Sequence, residues 1–167
     1  NTLLLVLEGQ SKQEPIVDIQ DRDVAQIMYT SGTTGIPKGV MVSHMAVYIA
    51  TLSNIIETKF AEDEVVLTMM PLFYCAQHIF TMSCLHRGAK TIIISSYEPE
   101  NLMKTIDEHK VTNMFALPMM YKMMLDHPKR SQYDLSSLRR CTYAMAPMDK
   151  RSLERCISEI CPEFALG

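Results

Sequence analysis

Residues 28–44 read Met-Tyr-Thr-Ser-Gly-Thr-Thr-Gly-Ile-Pro-Lys-Gly-Val-Met-Val-Ser-His, which sets Gly32 and Gly35 among the hydroxyl side chains of Thr30, Ser31, Thr33 and Thr34. Glycines let a backbone turn sharply and bring its N–H groups close to an anion. Hydroxyls add donors, and Lys38 adds a flexible point charge suited to phosphate. The spacing from Gly32 to Lys38 imitates the G-x-x-x-x-G-K-[ST] phosphate loop. Two positions depart from it: Pro37 stands where the second glycine belongs, and Gly39 replaces the Mg²⁺-binding hydroxyl. That loop also opens a helix, whereas Val40-Met41-Val42 reads as strand. A Walker-type ATPase is therefore disfavoured. A ligand-free hairpin turn is the plainer alternative for such a composition, but it requires neither Lys38 behind Pro37 nor so many hydroxyls.

Other segments could add chemistry. Pro71-Leu72-Phe73-Tyr74-Cys75-Ala76-Gln77-His78 follows a strand directly, and in parallel α/β sheets ligands bind beyond the carboxyl ends of the strands. His78 lies one helical turn after Tyr74, facing either the same cleft or solvent. Met114, Met119, Met120, Met123 and Met124 crowd the corner around Leu117-Pro118 in a chain with 14 Met. Methionine suits an adaptable hydrophobic tunnel, although core packing is expected for at least three of these five. Tyr143-Ala144-Met145-Ala146-Pro147 follows a later strand. Asp21, Asp23, Glu62, Asp63 and Glu64 read as solvated loop charge with no acid/base pair among them. The five cysteines, Cys75, Cys84, Cys141, Cys156 and Cys161, show no CxxC spacing and read as reduced structural thiols of a cytoplasmic protein.

The elements that must position these residues alternate. Leu3–Leu7 reads as a short strand, and 9–22 as a connection. Ala25–Tyr29 and Val40–Val42 flank the loop as strands. Ser43 is an N-cap for a helix whose Met45, Tyr48, Ile49, Leu52, Ile55 and Ile56 share one face. Strands are expected at 64–70, 90–95, 112–117, 139–144 and from 164, with helices at 77–86, 99–110, 119–127 and 149–160. This alternation predicts an α/β fold with a mainly parallel sheet flanked by helices.

Bulk properties set bounds. A chain of 167 residues suits one compact domain. A net charge of −3 offers no basic face for nucleic acid. No apolar run approaches a transmembrane span, and no signal peptide is visible. Because Asn1 is not preceded by Met, an internal piece of a longer protein is expected, oligomeric state unspecified.

The stretch Tyr29–Val40 is similar, without a mismatch, to Tyr-Thr-Ser-Gly-Thr-Thr-Gly-x-Pro-Lys-Gly-Val, the phosphate loop of the adenylate-forming superfamily of acyl- and aryl-CoA synthetases, peptide-synthetase adenylation domains and luciferases. Pro71–His78 resembles its Pro-Leu-Phe-His landmark, with Tyr74 at the histidine position. Thr112–Leu125 resembles the stretch that closes the acyl pocket, and Tyr143–Pro147 the Gly-Gly-Ala-Pro turn, with Ala144 and Met145 at the two glycines.

The resemblance implies residues 1–22 as a connecting segment and 23–167 as part of the N-terminal AMP-binding domain. It implies ATP phosphates held by Thr30, Ser31, Gly32, Thr33, Thr34, Gly35 and Lys38, with Mg²⁺ at Thr30. Tyr74, His78 and Met119 fall at the acyl or carboxylate pocket, and Ala144, Met145, Ala146 and Pro147 at the adenine turn. The implied reaction activates a carboxylic acid with ATP as an acyl-adenylate and transfers it to CoA. A medium- or long-chain fatty acid is the expected substrate, with aryl and amino acids open. The family's Tyr-Gly-x-Thr-Glu segment, ribose-binding Asp, hinge and C-terminal domain with its catalytic Lys are not in the sequence. The piece alone is therefore expected to be inactive without the remainder of its parent chain. A stand-alone nucleotide- or phosphate-binding module is the alternative.

Overall fold

The computed structural model describes residues 7–32 and 35–167. Residues 3–6 of the expected first strand lie outside the described residues, and so do Thr33 and Thr34; Leu7 is helical rather than extended. Residues 10–20 contain neither helix nor strand and are exposed, as their polarity and Pro15 dictate.

Strands β1 (Val24–Tyr29) and β2 (Gly39–Ser43) form an antiparallel hairpin in which Tyr29 pairs with Gly39. Ser43 ends β2 and caps α1 (His44–Thr58), its hydroxyl accepting from the Ala46 N–H at 3.2 Å. There follow β3 (Val65–Thr68), α2 (Cys75–His86), β4 (Lys90–Ile93), α3 (Pro99–His109), β5 (Asn113–Ala116), α4 (Pro118–Leu125), β6 (Arg140–Tyr143), α5 (Lys150–Glu159) and β7 (Phe164–Leu166). Helices α3 and α4 both open on proline, whose missing N–H is no loss in a first helical turn.

Strands β3 to β7 form a parallel sheet in the order β4-β3-β5-β6-β7. Chain progression reverses between β3 and β5, which makes their carboxyl ends the switch point where such sheets open a crevice. Alternation along the strands divides the core between two faces. On one, Phe115 of β5 meets Phe80 of α2 (ring centroids 6.0 Å), which in turn packs edge-on to Phe60 at 5.2 Å. On the other, Tyr121 of α4 packs on Phe164 of β7 at 4.9 Å and donates its hydroxyl to the Thr142 carbonyl at 2.9 Å.

Two expectations are corrected here. The apolar face assigned to α1 is mostly solvent-exposed at Met45, Tyr48, Ile49 and Ile56, and the residue that α1 buries is Thr51. The helix docks on α2 partly through a polar contact, Ser83 Oγ donating to Asn54 Oδ1 at 2.9 Å, and partly through the Tyr48 ring tilted against His86 at 5.6 Å between centroids, while Ile55 packs against the core. Glu64 is no solvated loop charge: it is buried, accepts from the Thr112 hydroxyl and lies 3.4 Å from Arg139. Of the crowded methionines, Met114 and Met124 are fully buried and Met120 packs against the core, whereas Met119 and Met123 are exposed. The cysteines are all free; Cys75 is exposed and the others are buried. Burial pushes the Cys156 thiol up to about 11, well away from thiolate reactivity at neutral pH.

Asp149 caps α5, accepting from the Ser152 N–H at 2.9 Å and from its hydroxyl at 2.7 Å. These bonds favour the carboxylate and bring its pKa down to about 2. The native state therefore holds this proton less tightly than the unfolded chain, whose carboxyl keeps its ordinary value of 3.8. The cap's stabilisation is present above about pH 4 and is lost as pH falls towards 2. Asp149→Ala is expected to remove that component of acid sensitivity, seen as a shallower fall of melting temperature between those pH values.

Candidate functional site

The hairpin presents the 30–38 loop as a formed turn. The Thr30 N–H donates to the Lys38 carbonyl at 3.0 Å, and the Lys38 N–H to Thr30 Oγ1 at 3.4 Å, closing the neck. Within it the Gly35 N–H donates to the Gly32 carbonyl at 3.2 Å. Gly32 has φ +68° and Gly35 φ +90°, both in the region glycine favours. At Gly32 a Cβ would stand 2.5 Å from the Ile36 carbonyl oxygen, so the close backbone approach itself excludes a side chain. Thr30, Ser31 and Lys38 are exposed, leaving their polar groups open to solvent.

One long-range side-chain bond ties the hairpin to the sheet: Gln26 Nε2 of β1 lies 3.0 Å from His78 Nε2 of α2. Around this contact Gln26, Met28, Tyr29, Leu72, Phe73 and His78 line a cavity of about 340 Å³. His78 is thus half-buried and bonded rather than a surface or capping residue, and it joins the loop-bearing hairpin to the segment after β3. Tyr74 is the N-cap of α2 and half exposed, its ring tilted against Phe73 at 4.6 Å between centroids.

A second cavity of about 300 Å³ opens beside the carboxyl ends of β5 and β6, with walls from Cys75, Ala76, Ile79, Phe80, Phe115 and Thr142 and a rim that includes Ala144. Its walls carry no charged side chain. The sequence reading missed Phe80, Phe115 and Thr142. The spacing of positions 75, 76, 79 and 80 on one helical face was available as a signal, but the register that sets Phe115 beside Thr142 is not local. Met119, at the start of α4, is exposed at the same edge of the sheet. Ala144 is buried, while Met145, Ala146 and Pro147 are exposed on the turn that leaves β6.

The segments singled out after β3, β5 and β6 therefore gather at one edge of the sheet, with the loop hairpin held beside them. A family model described as "AMP-binding enzyme" matches residues 3–165. The chain belongs to the AMP-binding enzyme family. It is 34% identical over 149 residues to a feruloyl-CoA synthase from Amycolatopsis sp, covering 87% of this chain and 30% of that protein. It is 32% identical over 167 residues to 4-coumarate-CoA ligase 1 of Narcissus pseudonarcissus, covering 96% of this chain and 30% of the ligase. The chain thus spans about a third of the length of these curated relatives. Among solved structures, the inhibitor-bound N-terminal domain of FACL13 from Mycobacterium tuberculosis superposes with a TM-score of 0.89 at 27% identity, over 99% of this chain and 41% of that one. O-succinylbenzoate CoA synthetase (MenE) from Bacillus subtilis, in complex with ATP and magnesium ion, shares the fold with a TM-score of 0.80 at 23% identity, over 95% of this chain and 34% of that one.

Within the AMP-binding fold, Met145 stands out. Its φ is +68°, the left-handed conformation that the glycine of the similar turn would adopt freely. A non-glycine residue there costs about 1–2 kcal/mol, and glycine returns roughly 0.4–1 kcal/mol of that through the unfolded chain's entropy. Met145→Gly is expected to raise the melting temperature by about 2–4 °C, the equivalent of roughly 1 kcal/mol in a chain of this size. An unchanged or lower value in thermal unfolding would show that the Met145 side chain contributes packing that offsets the strain.

Proposed function

We propose that this chain supplies the phosphate-gripping loop and much of the acid-binding crevice of a carboxylic acid–CoA ligase. Such an enzyme uses ATP to activate an acid as its acyl-adenylate and passes the acyl group to the thiol of CoA. The observation that carries the reading is the placement of the glycine–hydroxyl–lysine loop on a hairpin bonded, through Gln26 and His78, to the helix that walls the crevice.

The loop fits a polyphosphate: its neck is closed by two hydrogen bonds between Thr30 and Lys38, its Gly32 leaves no space for a side chain, and Thr30, Ser31 and Lys38 are exposed. On this reading Thr30, Ser31, Gly32, Thr33, Thr34, Gly35 and Lys38 hold the β- and γ-phosphates of ATP. ATP with Mg²⁺ supplies an electrophilic phosphorus and a pyrophosphate leaving group. Mg²⁺ bound with nucleotide takes most of its ligands from phosphate and water and one or two from protein. Thr30 fits as such a contact, and no group of three His, Cys, Asp or Glu suited to a metal is found among the described residues.

A carboxylate is already an adequate nucleophile, so the residues act by positioning and charge neutralisation rather than by proton transfer. The turn Ala144–Pro147 lies at the rim, where adenine and the reacting carboxylate belong, and Tyr74, His78 and Met119 border the acid's path. The uncharged cavity walls favour an apolar acid, and we assign a medium- or long-chain fatty acid. The feruloyl-CoA synthase and 4-coumarate-CoA ligase relatives favour an aryl acid as the second reading.

ATP–pyrophosphate exchange with the whole protein, scanned over fatty and aryl acids, tests both. Exchange dependent on an apolar acid is expected from the whole protein and not from residues 1–167 alone. Tight ATP binding without exchange by the whole protein would replace the ligase with a nucleotide-binding module. Among the described residues no helix is long and apolar enough to cross a membrane.

A further inference from the structure

Three of the four buried cysteines meet beside α5, where neither the crevice nor the phosphate loop makes use of them. Cys141 of β6 and Cys161, in the connection from α5 to β7, are 0% and 1% exposed, and Cys156 of α5 is 0% exposed. Strand register brings the first two together. Cys141 pairs with Phe164 across β6 and β7, and its N–H donates to the Glu163 carbonyl at 2.9 Å. Cys161 Sγ lies 3.6 Å from that same carbonyl oxygen and 3.4 Å from that of Leu138, so its sulfur is folded back over the start of β6. There it accepts a hydrogen bond from the Cys141 thiol. Cys156 is tied to Cys161 through the backbone instead, its carbonyl accepting from the Cys161 N–H at 3.0 Å. On its other side Cys161 is part of the lining of a cavity of about 460 Å³, shared with Arg130, Ser136, Ile157 and Pro162. A small polar solute in that cavity comes up to Cys161 first, with Cys141 behind it in the sheet.

We propose that Cys161 and Cys141 are a redox-responsive pair, in which a peroxide entering the cavity oxidises Cys161 and Cys141 resolves it as an intramolecular disulfide. The Cys161 thiolate attacks one peroxide oxygen; an S–O bond forms, the O–O bond breaks, and the departing hydroxide takes up the proton that the thiol released. The Cys141 sulfur then attacks the Cys161 sulfur; the S–S bond forms, the S–O bond breaks, and water leaves with the Cys141 proton. Together the two thiols give up two electrons and the peroxide becomes two waters. The order of events follows from the surroundings. The hydrogen bond from Cys141 holds the Cys161 thiol below its ordinary pKa against the opposing effect of burial, whereas burial pushes Cys141 up. Thiolate character and access together select the sulfur that is oxidised first. The bond spans 20 positions and ties β6 to the connection into β7, a constraint that stabilises chiefly by restricting the unfolded chain. The pair lies towards the amino end of β6, away from the crevice, so the inference stands apart from the ligase reading.

The test treats the whole protein with hydrogen peroxide, denatures it in excess alkylating agent, and cuts it with trypsin and a glutamate-specific protease. Cleavage after Arg140, Arg155 and Glu159 puts Cys141, Cys156 and Cys161 on separate peptides. Mass spectrometry is expected to find the Cys141 and Cys161 peptides joined with the loss of two hydrogens, Cys156 alkylated as a free thiol, and the joined species gone after dithiothreitol. The oxidised protein is expected to melt about 5 °C or more above the reduced one. Cys161→Ser should leave Cys141 reduced and abolish that rise. Cys141→Ser should stop the reaction at the Cys161 sulfenic acid, which dimedone traps. The wild-type peptide map decides the matter even if neither variant folds. Recovery of Cys141 and Cys161 as free thiols once the exposed Cys75 is oxidised overturns the proposal. So does a bond from Cys141 to Cys156 as frequent as that to Cys161, or a joined form that melts no higher than the reduced protein.

Discussion

Gly32→Ala is expected to weaken ATP binding by the whole protein by about 100-fold or more, which is roughly 2.7 kcal/mol. Two independent costs meet at this residue. Its φ of +68° is unfavourable for any side chain. The added Cβ would also stand 2.5 Å from the Ile36 oxygen, 2.9 Å from the Ile36 carbonyl carbon and 3.3 Å from the Pro37 nitrogen. All three are backbone atoms next to a proline ring, so none can swing aside as a side chain would. The turn must open, and the carbonyl that receives the Gly35 N–H must move with it. Gly35→Ala separates the two costs: φ is +90°, but a Cβ added there would meet no atom within 4 Å. Only backbone strain applies there, and a loss of about tenfold is expected, equivalent to roughly 1.4 kcal/mol. Any fall in melting temperature should be small beside the loss of affinity, because the described residues of the loop lie outside the buried core. Calorimetric titration with ATP alongside thermal unfolding checks both. Wild-type affinity in Gly32→Ala would show that the loop does not grip the nucleotide in this conformation.

What the sequence revealed of this protein followed from how local each signal was. The Ser43 cap and the alternation of strands and helices act over a few residues, and the structure reproduces both. The fate of the apolar stripe on α1 was not legible. Periodicity shows that Met45, Ile49 and Ile56 share a side of the helix, but not that these three stay exposed while α1 meets α2 through Asn54 and Ser83 and through the Tyr48–His86 ring contact. The cavity beside β5 and β6 was hidden for a similar reason. Phe115 and Thr142 are 27 positions apart and come together only through strand register. His78 lay between these cases. Its helical spacing from Tyr74 suggested a shared cleft, but the partner that fixes it, Gln26, is 52 residues away. Glu64 misled because runs of acidic residues are usually solvated, and nothing nearby announces that Thr112 and Arg139 converge on it.

That convergence makes Arg139→Ala the substitution expected to cost most in stability, about 3 kcal/mol. Glu64 immediately precedes β3, Thr112 precedes β5 and Arg139 precedes β6, so the cluster clasps the amino ends of three adjacent strands. Thr112 holds the β3–β5 junction twice more: its N–H donates to the Val65 carbonyl at 2.8 Å and its Oγ1 accepts from the Val65 N–H at 2.9 Å. The Arg139 N–H donates to the Thr112 carbonyl at 2.8 Å, and its guanidinium reaches Glu64 at 3.4 Å and Asp63 at 2.9 Å. That guanidinium also holds the Asp63 carboxyl below its ordinary range. Asp63 is exposed, and its pair with Arg139 is worth little on its own. Glu64 differs, because its side chain is only 5% exposed and truncating Arg139 leaves a buried carboxylate without a countercharge. The cost should therefore be recovered in large part by Glu64→Gln in the same molecule, since the amide keeps an acceptor for the Thr112 hydroxyl and removes the charge. Because the clasp is at the amino ends of the strands and the crevice at their carboxyl ends, the Michaelis constants for ATP and acid should stay near wild type at temperatures where the variant is folded. Denaturant unfolding of the single and double variants measures the coupling. If Arg139→Ala costs no more than a surface pair, the Thr112 hydroxyl alone satisfies Glu64 and the ion pair adds little.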